Sequence, residues 1–569
     1  MTNNQETKSC VNCKKDFTIE SEDFNFYEKI KVPPPTWCPE CRLIRRSAQY
    51  NIWSLYWRNC DKCAKKTLSI YSPEQKITVF CQKCWWADDW DGTEYAQDYD
   101  SSRPFLSQVR DLMNRTPYSA LESQYLTIKN SEYSNALAWS KDSYLIFWAD
   151  NCESVFYSSI LNGLKWSSDC LRVNDSELCY ESVGMYRCYN TFFSDECDDC
   201  VDMWFSRDCY GCMNCLGCVN LRGAKNCIFN VQYSKEEYEK KFKELGLESW
   251  DNLRKFEKKA HEFWLSKPYR EYNGNSLNIN STGEHVYNSK NSKKCYIVKG
   301  AENCKWTQLV TYPPAKDCYD YSGWGNNAAR IYESVTVGEN ADSVYFSNEC
   351  WPDVLNLQYC QWVIAGKNNF GCVNLKRKKY AILNKEYPKE EYEELKEKII
   401  EDMKTNPYTD KLGRKFSYGE FFPPEMSNYP YNKSVAMRFF PKTKEEALAA
   451  GYTWDDAESP VHPATIKSQD LVDTIKETTN AVLNEIIECA SCKRGYKIVR
   501  GELNLLRKMR LSLPHECPKC RENKRFGRMT KPGMYHRTCD KCRANIYTPY
   551  APGRPEIVYC VKCYQAEFA

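Results

Sequence analysis

From residue 134 onward, small and apolar positions recur at a step of nine. Starting at Ser134 the step meets Ser143, Cys152, Leu161, Cys170, Cys179, Cys188 and Cys197; after a shift of three it resumes as Cys200, Cys209, Cys218 and Cys227. The fourth position of the early units is apolar (Leu137, Ile146, Val155, Leu164, Val173), the sixth aromatic (Trp139, Trp148, Tyr157, Trp166) and the seventh small (Ser140, Ala149, Ser158, Ser167, Ser176). Nine residues of α-helix turn through about 900° and land on the opposite face, so no helix keeps this register buried. An uninterrupted strand fails as well, because an odd period flips its faces at every unit. The pattern therefore predicts a β-solenoid, each unit a short strand plus a corner that resets the register, with 18 or 27 residues per coil.

The pattern is duplicated. Gly217-Cys218-Val219-Asn220-Leu221 returns as Gly371-Cys372-Val373-Asn374-Leu375, and Lys235-Glu236-Glu237-Tyr238-Glu239 as Lys389-Glu390-Glu391-Tyr392-Glu393, both at an offset of 154. Upstream, Tyr180-Glu181-Ser182-Val183 matches Tyr332-Glu333-Ser334-Val335 at 152. Each copy ends in a charged stretch, 235–266 and 389–404, that predicts a helix covering the open strand edge. Residues 405–465 read as an extended connector rich in Pro, Tyr and Asn. One helix there is signalled by Thr443 and Glu446 as a capping box and by Gly451 as its stop, and a longer helix is expected over 467–488.

Cysteine adds a second framework. Cys10, Cys13, Cys38, Cys41, Cys60, Cys63, Cys81 and Cys84 reappear, each shifted by 479, as Cys489, Cys492, Cys517, Cys520, Cys539, Cys542, Cys560 and Cys563. Pro39, Asp61, Lys62, Tyr71, Pro73 and Lys83 are matched at the same shift. Two Cys-x2-Cys knuckles joined by a loop of roughly 15 to 25 residues supply four thiolates to one ion, so four closed zinc ribbons are expected. With all ligands supplied by the protein, such centres hold small modules together rather than activate water. The chain carries 33 cysteines, sixteen of them paired at zinc spacing, behind a polar start, and no apolar run approaches the roughly 20 residues of a bilayer span. A reducing compartment is expected, hence a cytoplasmic protein without membrane contact.

Net charge is only +3, but the stretch from Cys489 to Cys563 carries 18 basic against 5 acidic residues, whereas Cys10 to Cys84 carries 13 against 8. Arg42, Arg45 and Arg46 follow Cys41, and Arg521, Lys524 and Arg525 follow Cys520 in the same register, with Arg528 beyond. Arg507, Lys508 and Arg510 extend the cationic stretch. Guanidinium forks beside a metal-fixed turn suit phosphate, so these ten side chains are the expected nucleic-acid contacts, with RNA the expected class. Trp53, Tyr56, Trp57, Trp85 and Trp86 either stack bases or form the module's core.

Other chemistry is less well signalled. Cys209, Cys212, Cys215 and Cys218 have the look of an iron–sulfur run, although two of them belong to the nine-residue series. Five histidines, His261, His285, His462, His515 and His536, show no protease or nucleophile–base spacing. Asp195, Glu196, Asp198, Asp199 and Asp202 could pair as glycan-acting acids or form a solvated turn. No catalytic residue and no small-molecule substrate is identified.

Cys38-Pro39-Glu40-Cys41-Arg42 with Arg45-Arg46, the stretch from Tyr71-Ser72-Pro73 to Cys81-Gln82-Lys83-Cys84-Trp85-Trp86, that from Cys218-Val219-Asn220-Leu221 to Tyr238-Glu239, and Phe440-Pro441-Lys442-Thr443-Lys444-Glu445-Glu446-Ala447 carry a resemblance. Across nearly its whole length the chain resembles an uncharacterised multi-zinc-ribbon family with Cys- and Tyr-rich central repeats, from uncultured small-genome bacteria. The resemblance implies zinc binding and one continuous architecture, and transfers no catalytic residue.

The fold expected is multidomain and mainly β, with tandem zinc ribbons at each end flanking a duplicated β-solenoid with capping helices. Its parts are a double zinc-ribbon module at 1–100, solenoid copies at 120–234 and 275–388, capping helices at 235–270 and 389–404, a connector at 405–488 and a second double-ribbon module at 489–569. The function expected is a non-enzymatic zinc-binding scaffold whose ribbons, above all the C-terminal pair, contact nucleic acid. The alternatives are a protein–protein scaffold and a glycan-binding or glycan-cleaving β-helix.

Overall fold

The computed structural model describes residues 5–274, 277–457 and 462–568. Residues 1–4, 275 and 569, at the edges of expected domains, lie outside them. The chain is multidomain and strand-rich, with twelve α-helices among the described residues. It divides into two compact units that are each discontinuous in sequence: Met1–Leu121 with Tyr272–Asp456 and Lys531–Met534, and Glu122–Glu271 with Ala457–Thr530 and Tyr535–Ala569. Each double-cysteine module thus shares a unit with the copy of the repeat farther from it in sequence.

In the second unit, parallel strands of four residues stack with a constant offset of twelve, from Asn135↔Phe147 through Leu161↔Val173 and Tyr189↔Val201 to Leu216↔Ile228. Isolated bridges such as Lys129↔Lys141 and Tyr210↔Arg222 keep the same offset. Neither 18 nor 27 residues separates stacked positions, which corrects the expected coil length. The elementary unit is a triplet, of which nine and twelve are both multiples. Every third residue from Asn130 to Phe229 has φ between about +42° and +73°, glycine occupying only five of these positions. A left-handed residue costs an L side chain about 1–2 kcal/mol, so the corners persist only because the ladder on either side fixes them.

The residue following a corner is buried at all but the ends of the stack, where Ser131, Leu221, Ala224 and Asn230 are partly exposed. Leu137, Ile146, Cys152, Val155, Leu161, Leu164, Cys170, Val173, Cys179, Cys188, Cys197, Cys200, Cys209, Cys218 and Cys227 belong to one apolar cluster. The first, fourth and seventh positions of the nine-residue pattern are thus all interior, whereas its aromatic sixth position is the left-handed corner, where Trp139 and Trp166 are exposed.

Small polar residues inside have a specific task. The amide following a corner is bonded by the side chain twelve residues earlier: Cys152 N–H donates to Ser140 Oγ (3.2 Å), Cys170 to Ser158 (2.9 Å), Cys179 to Ser167 (2.8 Å) and Cys218 to Ser206 (3.2 Å). Buried amides must be paired, and serine does this in the volume of a cysteine. Ser167→Ala is therefore expected to orphan the Cys179 amide and cost about 1–3 kcal/mol in chemical denaturation, with Ser167→Cys restoring much of it.

In the first unit the corresponding stack widens at its centre. Gly283↔Cys295 and Leu355↔Lys367 are offset by twelve, Tyr319↔Tyr332 by thirteen and Gln308↔Ser322 by fourteen. These extra residues explain why the nine-residue series fades in the second copy. Both stacks end alike: the last parallel strand turns back antiparallel (Ile228↔Val231, Ile382↔Lys385) and a helix follows. The first of these is Lys235–Glu244, with Ser234 and Glu237 as capping box; Gly246, at φ +56°, separates it from Trp250–Leu265. The other is Lys389–Thr405. Tyr238 and Tyr392, at matching positions of the repeated motif, are both buried at these ends.

Lys444–Ala449 is helical with its expected Thr443–Glu446 box, and Gly451 beyond it has φ +89°. The long helix expected over 467–488 is not formed. Ile466–Lys467 and Ile487–Glu488 pair as strands, and only the short 3-10 turns Ser468–Asp470 and Asn480–Asn484 lie between. A side chain competes for the backbone there, Thr479 Oγ accepting from Ala481 N–H, while Asp473 Oδ1 is drawn to the Asp251 amide at the start of the Trp250–Leu265 helix. No helix among the described residues is long and apolar enough to cross a membrane.

Candidate metal centres

The sixteen ladder cysteines form four quartets, in each of which all four sulfurs lie within 4.8 Å of one another: Cys10, Cys13, Cys38, Cys41; Cys60, Cys63, Cys81, Cys84; Cys489, Cys492, Cys517, Cys520; and Cys539, Cys542, Cys560, Cys563. Each is built the same way. The first knuckle closes with a left-handed residue just after its second cysteine, Lys14, Ala64, Lys493 or Arg543, whose N–H bonds back to the first cysteine's carbonyl at 2.9–3.0 Å. The second knuckle opens a helix: Pro39–Ser47, Gln82–Trp86, Pro518–Arg528 or Val561–Phe568. Thiolates there face the positive end of the helix dipole.

Across the knuckles Sγ···Sγ distances are 3.8 Å (Cys13–Cys38), 3.9 Å (Cys63–Cys81), 3.7 Å (Cys492–Cys517) and 3.8 Å (Cys542–Cys560). A tetrahedron with metal–sulfur arms of about 2.3 Å has an edge of about 3.8 Å, so the donor set suits zinc. Backbone amides support the thiolates, with Cys38, Cys81, Cys517 and Cys560 N–H donating to Cys10, Cys60, Cys489 and Cys539 Sγ at 3.2–3.3 Å. The Lys65 backbone amide leads in holding the Cys63 thiol down to about 7.

The quartets Cys10–Cys41 and Cys489–Cys520, whose helices carry arginines into a strand stack, are the inner ones, and Cys60–Cys84 and Cys539–Cys563 the outer; the arginines beside the inner quartets have a different fate from that expected. Arg42, Arg45 and Arg46, on the Pro39–Ser47 helix, are fully buried against acids of the strand stack and connector. Arg42 grips Asp320 through Nε (3.0 Å) and Nη2 (2.6 Å), Arg45 bridges Glu333 (2.6 Å) and Glu420 (3.0 Å), and Arg46 reaches Asp320 (3.2 Å) and Glu333 (3.0 Å). Asp320 is 0% and Glu333 1% exposed. In the second unit Arg521 bridges Asp169 (2.6 Å) and Glu502 (3.1 Å), while Arg525 meets Asp169 (2.7 Å) and the Tyr157 carbonyl (2.9 Å). Burial opposes the charge on Arg42 and Arg521, but the adjoining carboxylates, Asp320 and Asp169 first, hold both pKa values well above the ordinary one.

These five guanidinium groups spend their forks internally, which corrects their expected role as phosphate contacts. Arg528 is half-buried and donates to the Glu181 carbonyl (2.7 Å). Arg507 bonds Asn480 and the Thr478 carbonyl, both at 2.9 Å. Lys508, Arg510 and Lys524 are exposed; Lys508 Nζ lies 3.8 Å over the Trp166 ring and Lys524 pairs with Glu516. Of the aromatic candidates, Trp85 is fully buried and Trp57 is 47% exposed.

Cys209, Cys212, Cys215 and Cys218 do not gather into a quartet; they are interior residues of successive triplets, 0–2% exposed. The acidic run is largely engaged: Glu196 pairs with Arg172, Asp199 with Arg187, and Asp202 accepts from Asn190. Burial pushes Asp198 up to about 6. Sequence reasoning missed Asp169, Asp320, Glu420 and Glu502 as arginine acceptors. One signal was present: the repeated Tyr-Glu-Ser-Val motif supplies Glu181 and Glu333, which face Arg525 (3.6 Å) and Arg46 (3.0 Å), themselves related by the 479 shift. No protein-family model, curated protein or solved structure matches the chain.

Proposed function

We propose that this chain is a non-enzymatic, zinc-organised scaffold of the cytoplasm, in which two β-solenoids present surfaces to partners and each is bound along one side by a double zinc ribbon. The observation that carries the reading is the doubled seam: the helix that receives the inner metal also inserts buried arginines into the acids of a strand stack, three in the first unit and two in the second. Metal binding and attachment of the module are then one event, as expected of a structural site. Native mass spectrometry with metal analysis tests it: four zinc ions per chain and no iron are expected, and a fully folded, metal-free protein would overturn it.

Nucleic acid is the partner class that the charge of the C-terminal module favours, contacted through its outward cations Lys508, Arg510 and Lys524 rather than through Arg521 and Arg525. Phosphate contact predicts RNA retention whose logarithm falls with the logarithm of salt at about −0.7 per phosphate on single strands. Lys508→Glu with Arg510→Glu should reduce that slope; an unchanged slope would remove the C-terminal module from the interface. A protein partner is favoured by a different feature. Tyr189, Val201 and Met213 are in-register neighbours on one side of the first stack, with Tyr189 and Met213 46% and 39% exposed.

A further inference from the structure

The outer ribbon of the first unit carries a cleft that the scaffold reading does not use. Its hairpin pairs Tyr56–Asn59 with Lys66–Ser69 in the register Trp57↔Leu68 and Asn59↔Lys66. On it opens a cleft of about 380 Å³ lined by Trp57, Arg58, Asn59, Asp61, Lys66 and Pro73. We infer that this cleft is a binding site for one nucleotide of a single-stranded nucleic acid, the base stacking on Trp57 and its phosphate pairing with Lys66.

The floor of the cleft is fixed in advance. Arg58, its side chain only 8% exposed, donates to the carbonyls of Ser72 (3.5 Å) and Ile77 (3.3 Å) and to Asp61 (3.2 Å). Asp61 in turn accepts the Val79 amide at 2.6 Å, so its carboxylate, which lines the cleft, is committed to the fold. Above this floor the indole of Trp57 is 47% exposed, and Lys66 Nζ lies 5.0 Å from its ring centroid. An ammonium over an indole marks a π-face that attracts positive edges, and an arriving base can take that face while the flexible lysine swings to phosphate. Lys65, which is exposed, adds a cation beside the knuckle, whereas Lys62 is paired with Asp89. A base can reach the indole only when unstacked from its neighbours, hence a single strand and not a duplex.

The duplicated module supplies the contrast. At the 479 shift Trp57 becomes His536, whose ring packs 5.0 Å from Tyr547, and Lys66 becomes Asn545. The C-terminal hairpin, with the same knuckle, lacks both the indole and the lysine. Neither is therefore required to build the ribbon.

The inference deepens the nucleic-acid part of the proposed function and locates it at the other end of the chain. Its test uses the full-length, zinc-loaded protein and a fluorescent twelve-residue oligouridylate, with a duplex of equal length as control. Trp57→Ala is expected to weaken binding by about 5- to 150-fold, the loss carried by one stacked base, with Trp57→Phe retaining most of it. Lys66→Ala should lower the salt dependence by about one phosphate's share. Zinc content equal to wild type shows that each variant is folded. If Trp57→Ala binds as wild type while Lys508→Glu with Arg510→Glu does not, the cleft is overturned and the C-terminal reading stands. If the wild-type protein binds no oligouridylate, both are overturned.

Discussion

Asp320→Ala is expected to destabilise the first unit by about 3–5 kcal/mol, measured as the loss in urea or guanidinium unfolding free energy of that unit. The carboxylate is completely buried and accepts from Arg42 twice and from Arg46 once, at 2.6–3.2 Å. Removing it leaves two guanidinium groups facing a dry interior with Glu333 as their nearest remaining acid. The cost is that of uncompensated buried charge, not the small net worth of an ion pair. The same reasoning separates two further variants. Asp320→Asn keeps an acceptor oxygen and should lose less, whereas replacing Asp320, Arg42 and Arg46 together with apolar residues of similar volume should recover much of the loss. Asp169→Ala, which strips Arg521 and Arg525 in the second unit, should reproduce the effect there. If both alanine variants cost under about 1 kcal/mol, as exposed pairs do, the seams do not join module to stack.

How far the chain could be read beforehand follows from which interactions are local. The quartets were legible because a knuckle is a short loop: Cys10 and Cys13 are set by two intervening residues and one left-handed turn, and the loop to Cys38 has little freedom once four sulfurs share an ion. The capping box at Thr443 and the helix stop at Gly451 are equally local. Short strands alternating with register-resetting corners were legible, but the offset between stacked residues was not. Nine residues is the spacing at which cysteines catch the eye, yet the physical unit is the three-residue corner, and the offset between stacked residues is fixed by how many corners make one repeat. Nothing in the local pattern counts them.

The seam was hidden for a different reason. Arg42 and Asp320 are 278 residues apart, and an arginine row beside a zinc knuckle looks the same whether it faces phosphate or carboxylate. Only the recurrence of two motifs in step, Cys-x2-Cys-Arg with its later arginine and Tyr-Glu-Ser-Val, hinted that each was made for the other. The long helix expected before Cys489 failed because Ile466 and Ile487 have strand partners that outweigh local propensity.

The largest effect of all should come from the inner metal site. Cys41→Ser is expected to remove one zinc and abolish cooperative unfolding of the first unit at 37 °C, whereas Cys84→Ser should remove one zinc and leave that unit folded. Both substitutions break a quartet, so ligand count alone predicts equal harm. The difference lies in what each helix does next. Cys41 sits on the helix that carries Arg42, Arg45 and Arg46 into Asp320, Glu333 and Glu420, so releasing its N-terminal turn frees three buried guanidinium groups together. Cys84 sits on the five-residue helix Gln82–Trp86, whose anchor is Trp85, held by burial and by an indole bond to the Pro117 carbonyl at 2.9 Å. That anchor is apolar and survives loss of the ion. Structural zinc in small modules carries apparent binding free energies of about 10–16 kcal/mol, larger than the whole stability of a typical domain. Circular dichroism melts of the two variants, with zinc counted by native mass spectrometry, separate the cases. Equal melting of both would mean that the arginine helix holds its place without its metal, and that zinc and seam are independent.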